Sequence, residues 1–136
     1  MGTAAVVLVL AVLGFILAVP AVNDSLAQAT AAEVKAAGLP ENTTFIESFS
    51  GANKYVGNGN GIQYLGGMLI KSSLTADELR AFYPDFFVDV QAGKSLGFIE
   101  HGKLELESDV KGNGYYIVYK WDERDTIFAD LDLRGH

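Results

Sequence analysis

The first 22 residues (MGTAAVVLVLAVLGFILAVPAV) carry no ionisable side chain, and within them residues 2–22 show no polar face at helical spacing. At about 1.5 Å per residue they would span roughly 31 Å as a helix, against a hydrocarbon core of about 30 Å. Val6, Val7, Leu8, Val9, Leu10, Val12, Leu13, Phe15, Ile16, Leu17 and Val19 would together favour insertion by roughly 3 to 7 kcal/mol. A helix buried in a soluble core is normally amphipathic, which this segment is not. The expectation is a transmembrane anchor over residues 1–22 and a separate domain over residues 23–136.

Val19-Pro20-Ala21 and Ser25-Leu26-Ala27 both resemble small-residue cleavage sites. The basic stretch that opens a signal peptide is missing, however, and the apolar run exceeds the usual length of about 7 to 15 residues. An uncleaved, single-pass anchor in the cell membrane follows. No Lys or Arg precedes Lys35, so flanking charge says nothing of orientation. A cysteine-free acidic domain behind an export-type segment places that domain on the extracytoplasmic side. Residues 23–136 hold all 10 basic and 17 acidic residues, a net charge of −7, with no basic cluster. A nucleic-acid partner is thereby disfavoured, because duplex affinity comes largely from Lys and Arg neutralising phosphates. The absence of cysteine excludes disulfides, thiol nucleophiles, zinc–thiolate sites and lipidated cysteine.

Asn23 or Asp24 offers an N-cap for an Ala-rich helix over residues 25–37, stopped by Gly38 and kept from resuming by Pro40. Residues 43–50 and 62–72 have the character of strands. The eleven residues joining them (GANKYVGNGNG) exceed the two to five a hairpin usually needs. A second helix starts with a full local code: Thr75 as N-cap, Glu78 closing a capping box, and Leu74 with Leu79 as hydrophobic staple. It ends at Tyr83, before Pro84. Residues 96–100, 103–110, 115–121 and 126–134 alternate with period two between turn signals, as in a β-meander, with room for one more short strand. The predicted fold is α+β: an N-terminal transmembrane helix, then a two-layer sandwich of two helices on a mostly antiparallel sheet, in the order α-β-β-α-β-β-β.

The glycine-rich run 57–61 is GxGxG before a strand, not the GxGxxG between strand and helix of a dinucleotide site, and no Walker lysine is present. It reads as a glycine-permitted turn or bulge, or as an ordered loop presenting Asn58 and Asn60, with Lys54 and Gln63, to a polar ligand. Glu105, Glu107 and Asp109 would line one face of a strand; a solvated face is the simpler reading, since calcium needs about six to eight oxygens on a curved loop. His101 and His136 are the two histidines and lack metal-ligand spacing, and no GxSxG, SxxK or HExxH occurs. No cofactor and no metal is implied. Tyr115, Ile117, Tyr119 and Trp121 share one strand face, the pattern of a core; exposed, they would suit a glycan or protein partner. Asn23-Asp24-Ser25 and Asn42-Thr43-Thr44 are sequons.

The apolar anchor, Ala-rich helix, Leu39-Pro40-Glu41-Asn42-Thr43, GNGNGIQYLGG, SLTADELRAFY, GYYIVYKW and the final DLDLRGH together resemble an uncharacterised family of small membrane-anchored extracytoplasmic proteins of bacteria. That resemblance spans most of residues 39–136 and implies the placement of the domain, with no activity or site residue attached. Three functional readings stand: a membrane-tethered binding or protein-interaction module, facing an envelope protein or cell-wall ligand; a cell-envelope enzyme with a dispersed polar site near the Gly/Asn loop; and a structural accessory subunit of a membrane complex.

Overall fold

The computed structural model describes residues 2–57, 59, 61–122 and 126–136. Along the chain come α1 (Gly2–Ala36), β1 (Thr43–Asn53), β2 (Gln63–Ser72), α2 (Ala76–Phe82), β3 (Phe87–Val90), β4 (Gly93–Ser95), β5 (Glu105–Val110), β6 (Tyr115–Asp122), α3 (Ile127–Leu131) and a 3-10 turn (Leu133–Gly135). Strands β1, β2, β6 and β3 form, in that order, one sheet; β4 and β5 form a separate hairpin, and every pair is antiparallel. The α+β class expected from the sequence is what the chain adopts. Helices α1 and α2 cover one face of the large sheet. The β4–β5 hairpin and residues 96–104 cover the other, which a two-layer sandwich would have left bare.

The expected break between anchor and capped helix does not occur: α1 is one helix of 35 residues. Pro20 lies inside it, at the cost of one intrahelical hydrogen bond to the preceding turn. Asn23 does not cap, because its side chain is committed elsewhere. Its Nδ2 donates to the Phe128 carbonyl and to Asp132 Oδ2, both at 2.9 Å, and its Oδ1 accepts from the Tyr64 hydroxyl at 2.5 Å. Being fully buried, Asn23 is also closed to glycan transfer in the folded chain. Helix α1 stops where predicted, at Gly38 with φ +83°. Its first half is long and apolar enough to cross a membrane and is exposed from Val6 to Leu17. Its second half buries Ala27, Thr30, Ala31 and Val34 on the sheet.

That seat is made by two glycines. A Cβ on Gly66 would lie 2.6 Å from the Thr30 carbonyl carbon and 2.8 Å from Ala31 Cα, so the backbone of α1 rests directly on β2. A Cβ on Gly67, pointing the other way, would lie 2.5 Å from Phe49 Cζ and 2.6 Å from the Val118 carbonyl oxygen. Strand β2 is therefore buried on both faces, with Tyr64, Met68 and Ile70 under the helices and Leu65 and Leu69 under the hairpin.

Helix α2 carries the predicted capping box: the Glu78 amide donates to Thr75 Oγ1 at 3.2 Å, and the Thr75 amide to Glu78 Oε2 at 2.7 Å. Two other expectations need correction. Residues 96–100 are a turn rather than a strand, because Leu96, Phe98 and Ile99 all enter the same core cluster, which alternating side chains cannot do. Residues 126–134 are helical, not a last strand. Thr126 Oγ1 caps α3 by accepting from the Ala129 amide at 3.2 Å, and Asp132 caps the 3-10 turn by accepting from the Arg134 amide at 3.1 Å.

Arg134 ties this C-terminal segment to α1. Its guanidinium donates to both Asp132 oxygens at 3.0 and 2.7 Å, to Asp24 Oδ1 at 2.9 Å and to the Pro20 carbonyl at 3.2 Å. Burial alone would raise the Asp132 pKa, but the hydrogen bonds from Arg134 and Asn23 outweigh it and hold the carboxyl below its ordinary 3.8. A folded value below the unfolded one contributes stability that is complete above about pH 3.8 and is lost as pH falls through the folded value.

Gly66→Ala should destabilise the full-length chain by about 1 to 3 kcal/mol, because backbone cannot give way as a flexible side chain would. Gly97→Ala, with open space around its Cβ, should stay within about 0.5 kcal/mol of wild type. Thermal unfolding in detergent compares them. Arg134→Ala should cost about 3 kcal/mol at neutral pH by stranding a buried carboxylate. Its deficit against wild type should narrow below about pH 3.8 as Asp132 protonates; denaturant titrations at the two pH values read the difference.

Candidate functional site

Strand β1 runs on to Asn53, so the long connection reduces to residues 54–62. It is pinned at three places. Tyr55 is 3% exposed and lies across Gly51, where any Cβ would collide with its hydroxyl. The Tyr55 carbonyl accepts from the amides of Glu100 and His101 at 2.8 and 2.9 Å, and the Gly57 amide donates to Glu100 Oε2 at 3.0 Å. The Gly61 amide donates to the Gly135 carbonyl at 2.9 Å, joining the loop to the C-terminus. The third pin is Gln63, whose Oε1 accepts from the amides of Tyr55 and Val56 at 2.9 and 2.8 Å while its Nε2 donates to the Val56 carbonyl at 3.1 Å.

Gln63, expected as a ligand-binding residue, is thus mainly a brace. It also lines an open cleft of about 420 Å³, walled by Val56, Gln63, Phe87, Trp121 and Asp122. Lys54 is half-buried, its amide donating to Asn53 Oδ1 at 2.7 Å, and it does not form part of that wall. Asn58 and Asn60 lie outside the described residues. Among the described residues, the cleft also takes in Phe87, Trp121 and Asp122, which the loop motif did not include. Antiparallel pairing of β3 with β6 sets Phe87 opposite Tyr119, and Trp121 follows two residues on, along the same face. Phe87 is stacked on Tyr119 with ring centres 5.3 Å apart, Phe98 on Tyr119 at 4.3 Å, and Phe98 meets Trp121 edge-on at 5.6 Å.

The predicted aromatic row therefore divides. Ile117 and Tyr119 are core, and Trp121 remains half-buried at the cleft mouth. The Tyr119 hydroxyl donates to Asp89 Oδ2 at 2.6 Å; burial, together with that carboxylate, pushes its pKa up. The acidic row of β5 points away, with Glu105, Glu107 and Asp109 exposed and Lys103 and Lys111 3.9 and 3.8 Å from Glu105 and Asp109. Among the described residues no group of three or more His, Asp or Glu is placed to hold a metal ion. Strand β5 is attached to the large sheet by Glu47, whose carboxylate accepts from the amides of Glu107 and Ser108 at 2.9 and 2.8 Å. Burial would raise its pKa, but the two amides prevail and lower it. A larger hollow of about 530 Å³, over Asn42, Thr44, Lys71 and Ser73, has no aromatic wall.

Set against protein-family models, curated proteins and solved structures, the chain matches none of them. Among the described residues, the cleft presents two aromatic rings, one carboxylate and one amide around about 420 Å³.

Gln63→Leu should leave the Tyr55 and Val56 amides without their acceptor and lower loop stability by about 1 to 3 kcal/mol. Hydrogen exchange should speed up at those two amides while the β2–β6 amides keep their protection; equal exchange in the loop would remove Gln63 from the role of brace.

Proposed function

We propose that this chain is a binding module tethered to the cell membrane by α1, with its domain on the extracytoplasmic side. The cleft between Phe87 and Trp121 receives a saccharide-type ligand such as a cell-wall glycan presents. The composition of the cleft carries this reading. Sugar rings offer apolar C–H faces that pack on aromatic rings such as those of Phe87 and Trp121, and hydroxyls suited to a polar cleft edge. A net charge of −7 favours neutral or cationic sugars over anionic ones. Support for the tether is the exposed apolar first half of α1, with the length of a membrane span.

Trp121 is the sole tryptophan, so tryptophan emission reports on the cleft alone. Titration of the full-length chain in detergent with soluble wall glycans should change that emission saturably. Phe87→Ala removes an exposed ring while sparing the reporter, and should weaken binding by roughly tenfold, about 1.4 kcal/mol. Unchanged emission across neutral, amino and acidic glycans would move the reading to a protein partner, and unchanged affinity in Phe87→Ala would place the glycan outside this cleft.

A further inference from the structure

The C-terminal segment packs against α1 at a depth that its residue numbers define. If α1 spans a bilayer from Gly2, a hydrocarbon core of about 30 Å ends near residue 22, so residues 15–20 lie within roughly 10 Å of that boundary. The Phe128 ring sits 6.4 Å from that of Phe15. Leu131 and Leu133 form one wall of a cleft whose other wall is Ile16, Leu17 and Pro20. Elements in contact with residues 15–20 share their depth. Yet Ile127, Leu131 and Leu133 are 66%, 46% and 77% exposed, continuing the apolar surface of α1 outward.

We infer that α3 and the turn after it rest in the headgroup–acyl boundary of the bilayer, with Ile127, Leu131 and Leu133 turned into lipid. This rests on the anchoring of α1 proposed above. Asp132 and Arg134 suit such a place, where an unsatisfied charge is costly, and the exposed Asp130 sets the headgroup side of the segment. Asp132 is buried against Arg134 and Asn23, while the guanidinium also reaches Asp24 and the Pro20 carbonyl. No described buried side-chain nitrogen or oxygen lacks a partner. An apolar face set about 5 to 10 Å into the boundary is how interfacial helices hold a membrane. Here it would fix the tilt of the domain on its anchor and hence the direction in which the Phe87–Trp121 cleft opens.

The chain has no native cysteine, so single labels are clean. Leu10→Cys, Ile127→Cys, Leu133→Cys and, as an exposed domain control, Lys94→Cys are each labelled with bimane. They are then reconstituted in phosphatidylcholine vesicles carrying a spin label near the glycerol or near the chain end. The expected pattern is strongest loss of emission at Leu10→Cys with the chain-end label, at Ile127→Cys and Leu133→Cys with the glycerol-proximal label, and none at Lys94→Cys. Quenching at Leu10→Cys with Ile127→Cys and Leu133→Cys as bright as Lys94→Cys would keep the anchor and overturn the inference, whether a second copy or another protein covers the face. No quenching at Leu10→Cys would overturn both.

Discussion

The contact on which the rest of the structure depends is the backbone of α1 lying on Gly66. A side chain there would lift the helix away from the sheet, and several distant interactions need it close. Tyr64, two residues earlier on the same face of β2, reaches Asn23 at 2.5 Å only because Ala31 and Thr30 sit directly above the glycine. Asn23 in turn holds Asp132, and Asp132 orients Arg134, so one missing Cβ connects the seat of the helix to the last residues of the chain. On the opposite face Gly67 admits Phe49 and Tyr119, which lets the hairpin layer close over the same strand. Two adjacent glycines with Cβ positions pointing opposite ways make β2 the middle of three layers.

The polar knot between α1 and the C-terminal segment has a different character. Taking an ion pair out of water is costly, and the attraction regained seldom exceeds that cost by much. Its effect is directional: oxygen acceptors on Asp132, Asp24 and Pro20 receive a planar guanidinium from fixed angles. The segment is thereby held in one position on α1, and Gly135 brings the 54–62 loop to it through the Gly61 amide. The loop that bounds the cleft and the segment beside the apolar half of α1 therefore share an attachment.

Local signals in the sequence translated into structure where the interactions they encode are local. The Thr75–Glu78 capping box and the Gly38 stop involve residues a turn apart, and both formed as the pattern predicts. Alternation in residues 126–134 misled because Thr126 and Asp132 supply side-chain acceptors to amides three and two residues ahead, favouring short helical turns over a strand. Asn23 and Asp24 misled for the opposite reason: their partners, Tyr64, Asp132 and Arg134, are 41, 109 and 110 residues away. The candidate site was partly legible. Gln63 was found through the loop, but its hydrogen bonds are spent on that loop, and Phe87, Trp121 and Asp122 meet it only through the pairing of β3 and β2 with β6.

By itself the sequence determined the apolar, uncharged first segment, the α+β class, the acidic surface and the start of α2, because each follows from composition, periodicity or contacts within one turn. Tertiary structure alone decided that the apolar first segment and the Ala-rich helix are continuous, that the sheet is covered on both faces, and that an aromatic cleft lies at its end. Those outcomes depend on which residues far apart in sequence are forced together. What forces them is the burial of β2 on both sides, since a strand that shows no face to water must recruit its cover from the whole chain.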